Sequence, residues 1–311
     1  MRRPIYNLLF PTGCSEITVH GHRFSRIEEY QSRVRKLQHL GGLFSEFQIR
    51  PNTGEHAVTG YVDIPEPAES SILEWAGEGN TVLMDILLLL SLFTGREVFA
   101  GRPGTTGLAE DEVITRDSRV YKWGGILRSS IPYERAKDRS ISSFDCNEGF
   151  EETINQIYEL IRSPKWQQKY QQGYFLFLAR MAFQQHFLEA AFSQCWTIWE
   201  HLFTIHNRSW LSDKQLRRIY SDEKVAFLLT EYELINEIDQ KSRQLIQSRL
   251  ANIRNRLIHF GRFPKYDKVH KDADLFIRLT EVILAKTLKL VPSNVFNTIE
   301  RLQEFLSGNE K

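Results

Sequence analysis

The chain has 311 residues, 41% hydrophobic and 25% charged, with a net charge of +1. That is long enough for one large domain or two ordinary ones with a real core, and its charge balance gives no whole-protein sign of a nucleic-acid partner. Three widely spaced cysteines, Cys14, Cys146 and Cys195, argue against a disulfide framework and for a reducing cytoplasm.

The first residues, Met-Arg-Arg-Pro-Ile-Tyr-Asn-Leu-Leu-Phe-Pro, lack the apolar length of a signal peptide. Glu16–His20 and His56–Ile64 are β-branched and loosely alternating, with Pro and Gly around them, and predict strands. Between them, Arg26–Leu40 reads as a polar, helical stretch. Asn80–Thr94 predicts a buried helix stopping at Gly95. Its greasiest run, Val82–Phe93, is interrupted by Asp85 and falls short of the roughly 20 residues that span a bilayer, so no membrane role is expected. Gly101–Gly107 is a surface loop without the Gly-Lys-Ser/Thr ending of a phosphate-binding loop. A further strand is expected within Glu112–Trp123.

Past residue 148 the pattern turns helical. Helices are expected over Glu148–Ile161, over Gln167–His206 with a break near Gly173, and over Asp222–Leu234, Glu237–Phe260, Ala273–Leu290 and Asn294–Leu306. Phe192, Trp196, Trp199 and Phe203 recur at helical spacing, and such a stripe predicts core rather than a ligand site. The expected class is α+β: a mixed N-terminal domain over residues 1–148 and an all-α bundle over residues 149–311.

The chemistry-bearing run is Ala251-Asn-Ile-Arg-Asn-Arg-Leu-Ile-His-Phe-Gly261. At about 100° per residue, Ile246, Leu250, Ile253 and Leu257 form one apolar stripe. Asn255 and His259 face away from it, and Arg254 sits at its edge, roughly 140° from His259. Gly261 ends the helix, so the macrodipole favours a cation at His259, which suits general acid–base work. Residues 241–270 hold eight Lys or Arg against the single acid Asp267, a window of +7 in a chain whose remainder sums to −6. With Phe260, Phe263 and Tyr266 interleaved, that window suits single-stranded RNA. The same charges equally make a solvated face beside Glu231, Glu233, Glu237 and Asp239.

Ile253, Arg254, Asn255, the triplet Arg256-Leu257-Ile258 and His259 together resemble the R-x4-H signature of the HEPN superfamily, most closely its Apea-like branch. Cys195–Phe203 is similar to the long packing helix of that branch. The resemblance covers residues 170–290 best. It implies a HEPN-like bundle and metal-independent endoribonuclease activity, with no cofactor. In that reading Arg254 clamps the phosphate, His259 transfers protons, and Asn255 orients His259 or donates to a phosphate oxygen. Glu200 is a possible auxiliary residue, more a structural partner for an arginine than an acid. Arg249, Arg256, Arg262 and Lys265 are the expected RNA contacts. A homodimer sharing its sites through the helical domain is implied, as is a toxin or antiphage context with an antitoxin or defence-complex partner. The alternative is a non-catalytic RNA- or nucleotide-binding or regulatory module. His20-Gly-His22, and His201 with His206, lack metal-ligand company, so no metal site is expected.

Overall fold

The computed structural model describes residues 1–11, 13–33, 54–56, 58–65, 69–73, 81–94, 98–101, 114–116, 149–183, 188–290 and 297–308. The loop after Gly101, residues 34–40 of the polar stretch and most of the expected Glu112–Trp123 strand lie outside these. The protein is α+β: a small antiparallel sheet joined to a larger set of helices.

Five strands form the main sheet in the order β2–β3–β5–β1–β6: β1 Arg2–Tyr6, β2 Glu16–Val19, β3 His22–Arg26, β5 Val58–Asp63 and β6 Phe99–Ala100. A two-stranded piece pairs β4 Gly54–His56 with β7 Ile114–Arg116. Strands β2 and β3 are joined by a tight hairpin in which His20 and Gly21 both take positive φ. His20 and Gly21 thus make the turn, and His22 begins β3. Alternation sets the buried face through Ile17, Val19, Phe24 and Val62. Gly60 in β5 has no room for a side chain, since a Cβ there would lie 2.5 Å from the Ser25 carbonyl oxygen and 3.0 Å from the Phe10 ring.

Helix α1, Val82–Thr94, is apolar nearly all round, and its buried residues share one core with those of the helices beyond residue 148. Buried residues described before and after residue 148 thus belong to one core. The next helices are α2 Phe150–Arg162, α3 Pro164–Tyr170, α4 Tyr174–Phe183 and α5 Leu188–Asn207. The expected break near Gly173 is present: Gln171, Gln172 and Gly173 all have positive φ. Helix α2 covers the edge of the sheet with side chains. Glu151 Oε2 accepts from the Thr18 amide at 3.0 Å, and Asn155 accepts from the His20 amide and donates to the Thr18 carbonyl.

The remaining helices are α6 Asp213–Leu216, α7 Ser221–Glu231, α8 Gln240–Leu245, α9 Asn252–Phe260, α10 Val269–Thr287 and α11 Thr298–Ser307. The aromatic stripe of α5 is core: Phe192, Trp196 and Trp199 each lie within 5 Å, ring to ring, of Phe276 in α10. Trp199 donates its indole N–H to Thr280 at 2.8 Å, so its burial leaves no orphan donor.

Candidate functional site

Helices α8 and α9 are not joined as one regular helix, because Ile246–Ala251 forms a π turn between them. A π turn takes an extra residue, which brings Ala251 into the core beside Leu250 and leaves Leu257 only half-buried. Arg254 and His259 both follow the insertion, so their angular separation is that of an ordinary helix. Gly261 caps α9 at φ 64, donating its amide to the Leu257 carbonyl at 2.9 Å. His259 accordingly sits in the last turn, exposed, with its ring 6.4 Å from that of Phe260.

Arg254 turns the other way, toward α5. Its Nη2 lies 3.5 Å from Glu200 Oε1, and its Nη1 donates to Asn255 Oδ1 at 3.1 Å. The same Glu200 oxygen accepts from the Trp196 indole at 3.2 Å and has Lys224 Nζ of α7 at 3.9 Å. Three donors thus converge on one carboxylate oxygen. The Arg254 side chain is 27% exposed and that of Glu200 36%. Arg254 Nε, like that of Arg256, is buried and has no acceptor among the described residues. The part-exposed Nη groups, held by one 3.5 Å contact to Glu200 and one to Asn255, are the donors an incoming anion can reach.

The fold therefore brings Arg254, Asn255 and Glu200 together and leaves His259 on the outward side. Asn255 bonds Arg254, and no hydrogen bond links it to His259 among the described residues. The four expected RNA contacts divide. Arg249 is committed inward: its Nε donates to Asp272 Oδ2 at 2.7 Å, its Nη2 bonds the other oxygen, and its guanidinium lies over the Phe305 ring. Tyr266 donates its hydroxyl to the same carboxylate at 2.6 Å, and burial pushes that phenol's pKa well up. That arginine anchors the π turn to α10 by a bidentate pair to a buried carboxylate, with its side chain only 16% exposed. Arg256 stacks 4.4 Å over Phe260, while Arg262 and Lys265 are exposed.

Trp196 and Lys224 are members of the cluster that sequence reasoning missed. Trp196 stands four residues before Glu200, one helical turn away, so its spacing carried the signal. Lys224 comes from another helix and left none. His206 is buried, within 3.0 Å of the Tyr232 hydroxyl and 3.3 Å of Glu231, and burial lowers its pKa. Among the described residues no group of three or more His, Cys, Asp or Glu could hold a metal ion, and no helix is long and apolar enough to cross a membrane. No family model, curated protein or solved structure matches the chain.

Proposed function

We propose that the chain is a metal-independent endoribonuclease of HEPN type that acts as a homodimer with shared sites, in a toxin or antiphage setting. The observation that carries this reading is the state of Arg254: a part-exposed guanidinium held by one 3.5 Å contact to Glu200 and by Asn255, five residues before an exposed histidine. In the reaction a ribose 2′-oxygen attacks the adjacent phosphorus and the bond to the 5′-oxygen breaks. This leaves a 2′,3′-cyclic phosphate and a free 5′-hydroxyl. The 2′-hydroxyl proton goes to a general base and the leaving oxygen takes one from a general acid. His259 serves as one of these, worth about 10²–10⁴-fold. Arg254 donates to the phosphate oxygens as charge builds on the phosphorane. Because Arg254 and His259 diverge by roughly 140° on one helix, a second copy packed across a two-fold axis favours their convergence on one phosphate.

Incubating the purified protein with total RNA in EDTA tests the proposal. Cleavage is expected to persist in EDTA, to vanish in His259→Ala and in Arg254→Ala, and to stop when the ribose at a mapped cut site is replaced by deoxyribose. Mixing the two inactive variants should restore part of the activity. A monomeric mass with no restoration would remove the shared site. The neutralisation of Arg254 by Glu200 favours a second reading, a non-catalytic RNA-binding module. Its signature is RNA retarded on a gel and left intact.

A further inference from the structure

A groove of about 580 Å³ opens between the end of α5, helix α7 and the segment leading into α8. Phe203, Leu211, Ile219 and Phe227 make an apolar floor, and Trp210 stands at the rim, 67% exposed. Arg243, Glu237 and Asn236 supply polar groups at the same rim. A large indole left in water beside an apolar trough is costly unless something lies on it. None of the groove's wall takes part in the cluster around Arg254, yet the two adjoin. Phe203, on the groove floor, also lies 5.8 Å below Lys224 Nζ, and Lys224 contacts Glu200. Glu200, Phe203 and Asn207 fall within about 60° of one another on α5, and the first and last are about 10 Å apart along its axis.

We propose that this groove receives an unpaired base of the RNA strand whose phosphate meets Arg254, about two or three nucleotides away along the strand. The inference rests on the RNA reading above and adds a base subsite to it. Its chemistry is that of single-strand recognition, in which bases lie on aromatic rings while cations track the backbone. The stacking wall is Trp210 at the rim, above a floor of Phe203 and Phe227. The cation lining the groove is Arg243, with the carboxylates Glu223 and Glu237 beside it; Lys214, Arg217 and Arg218 lie on the segment between α5 and α7. Arg243, Lys214, Arg217 and Arg218 are all exposed. Glu237 is an acceptor without a partner among the described residues, and a carboxylate selects a base that carries an exocyclic amino group. Guanine, adenine and cytosine are thus preferred over uracil at this position.

The test reads binding, in the full chain carrying His259→Ala so that no strand is cut. Short labelled oligoribonucleotides are titrated in which one position at a time is made abasic. Two variants accompany them: Trp210→Ala, which removes the stacking wall, and Thr230→Trp, which plugs the groove from an exposed rim position. Circular dichroism confirms that both are folded. One abasic position is expected to weaken binding roughly tenfold, Trp210→Ala to do the same, and the two together to do no more than either alone. Uracil at that position should bind most weakly of the four bases. Unchanged affinity in both variants, or full additivity with every abasic position, overturns the subsite and leaves the groove to a protein partner. Wild-type cleavage, read separately, keeps the two ideas apart. Non-additivity without cleavage retains the base subsite and removes the nuclease, and cleavage without non-additivity does the reverse. A chain that binds no RNA overturns both.

Discussion

Two arginines five residues apart on one helical segment meet carboxylates in opposite ways. Arg249 makes two hydrogen bonds to Asp272, is capped by Phe305, and shares its carboxylate with the Tyr266 hydroxyl. The side chains of that pair are 16% and 2% exposed. Arg254 makes one long contact to an oxygen already shared with Trp196 and Lys224, and its side chain is 27% exposed. A buried bidentate pair is fixed, since removing either member strands a charge. A half-open pair at 3.5 Å contributes little, and an incoming anion can replace its carboxylate. Of two similar guanidiniums, packing has assigned one to structure and left the other available.

The largest test of this contrast is the fixed pair. Asp272→Ala should cost about 3–5 kcal/mol of stability by leaving Arg249 buried and unpaired, read as a lower urea midpoint with little change in slope. A loss under 1 kcal/mol would erase the distinction between the two arginines.

Asp85 sharpens it from the side of the carboxylate. It is fully buried in α1, pairs with no cation among the described residues, and accepts from Ser71 Oγ at 2.5 Å and the Ile72 amide at 2.8 Å. Burial raises its pKa from 3.8 to about 6. The folded state therefore holds this proton more tightly than the unfolded chain. The stabilisation is fully present below pH 4 and is lost as pH rises through 6. At pH 7 the ionised group should leave the fold less stable by on the order of 2–3 kcal/mol relative to acid conditions. The difference in unfolding free energy between wild type and Asp85→Asn, followed from pH 4 to 7, should show that slope. A flat difference would mean that Asp85 titrates normally.

The smallest effect belongs to the open pair. Glu200→Gln should change stability by less than about 1 kcal/mol while tightening RNA binding by roughly twofold to fivefold, because the phosphate no longer competes with a carboxylate for Arg254. Weaker RNA binding in Glu200→Gln would show that the glutamate positions the arginine and does not restrain it.

Much of the framework was legible from local pattern. Strand alternation in Glu16–His20, the apolar run of α1, the stop at Gly261 and the break near Gly173 rest on periods of two or 3.6 residues and on backbone preferences that a short window reveals. The inward role of the α5 aromatic stripe was equally plain. Strand β3 was not, since His22–Arg26 is short and half polar, and its strand character comes from pairing with β2 and β5. The π turn was also hidden, because nothing in Ile246–Ala251 departs from ordinary helical composition.

The sequence by itself determined that Arg254, Asn255 and His259 share the last turns of an amphipathic helix, with Arg254 and His259 on different sides, because side-chain direction on a helix follows from spacing alone. Only the tertiary structure decided which arginine is held and which is open. The partners that decide it, Asp272 for one and Glu200 with Lys224 for the other, stand 23 and 54 residues away or on a separate helix. A chain with 39 acidic residues offers many candidates for each cation. Packing selects among them by distance and burial, and neither quantity is written in local order. The groove under Trp210 has the same origin, since its walls come from three helices that only the fold sets side by side.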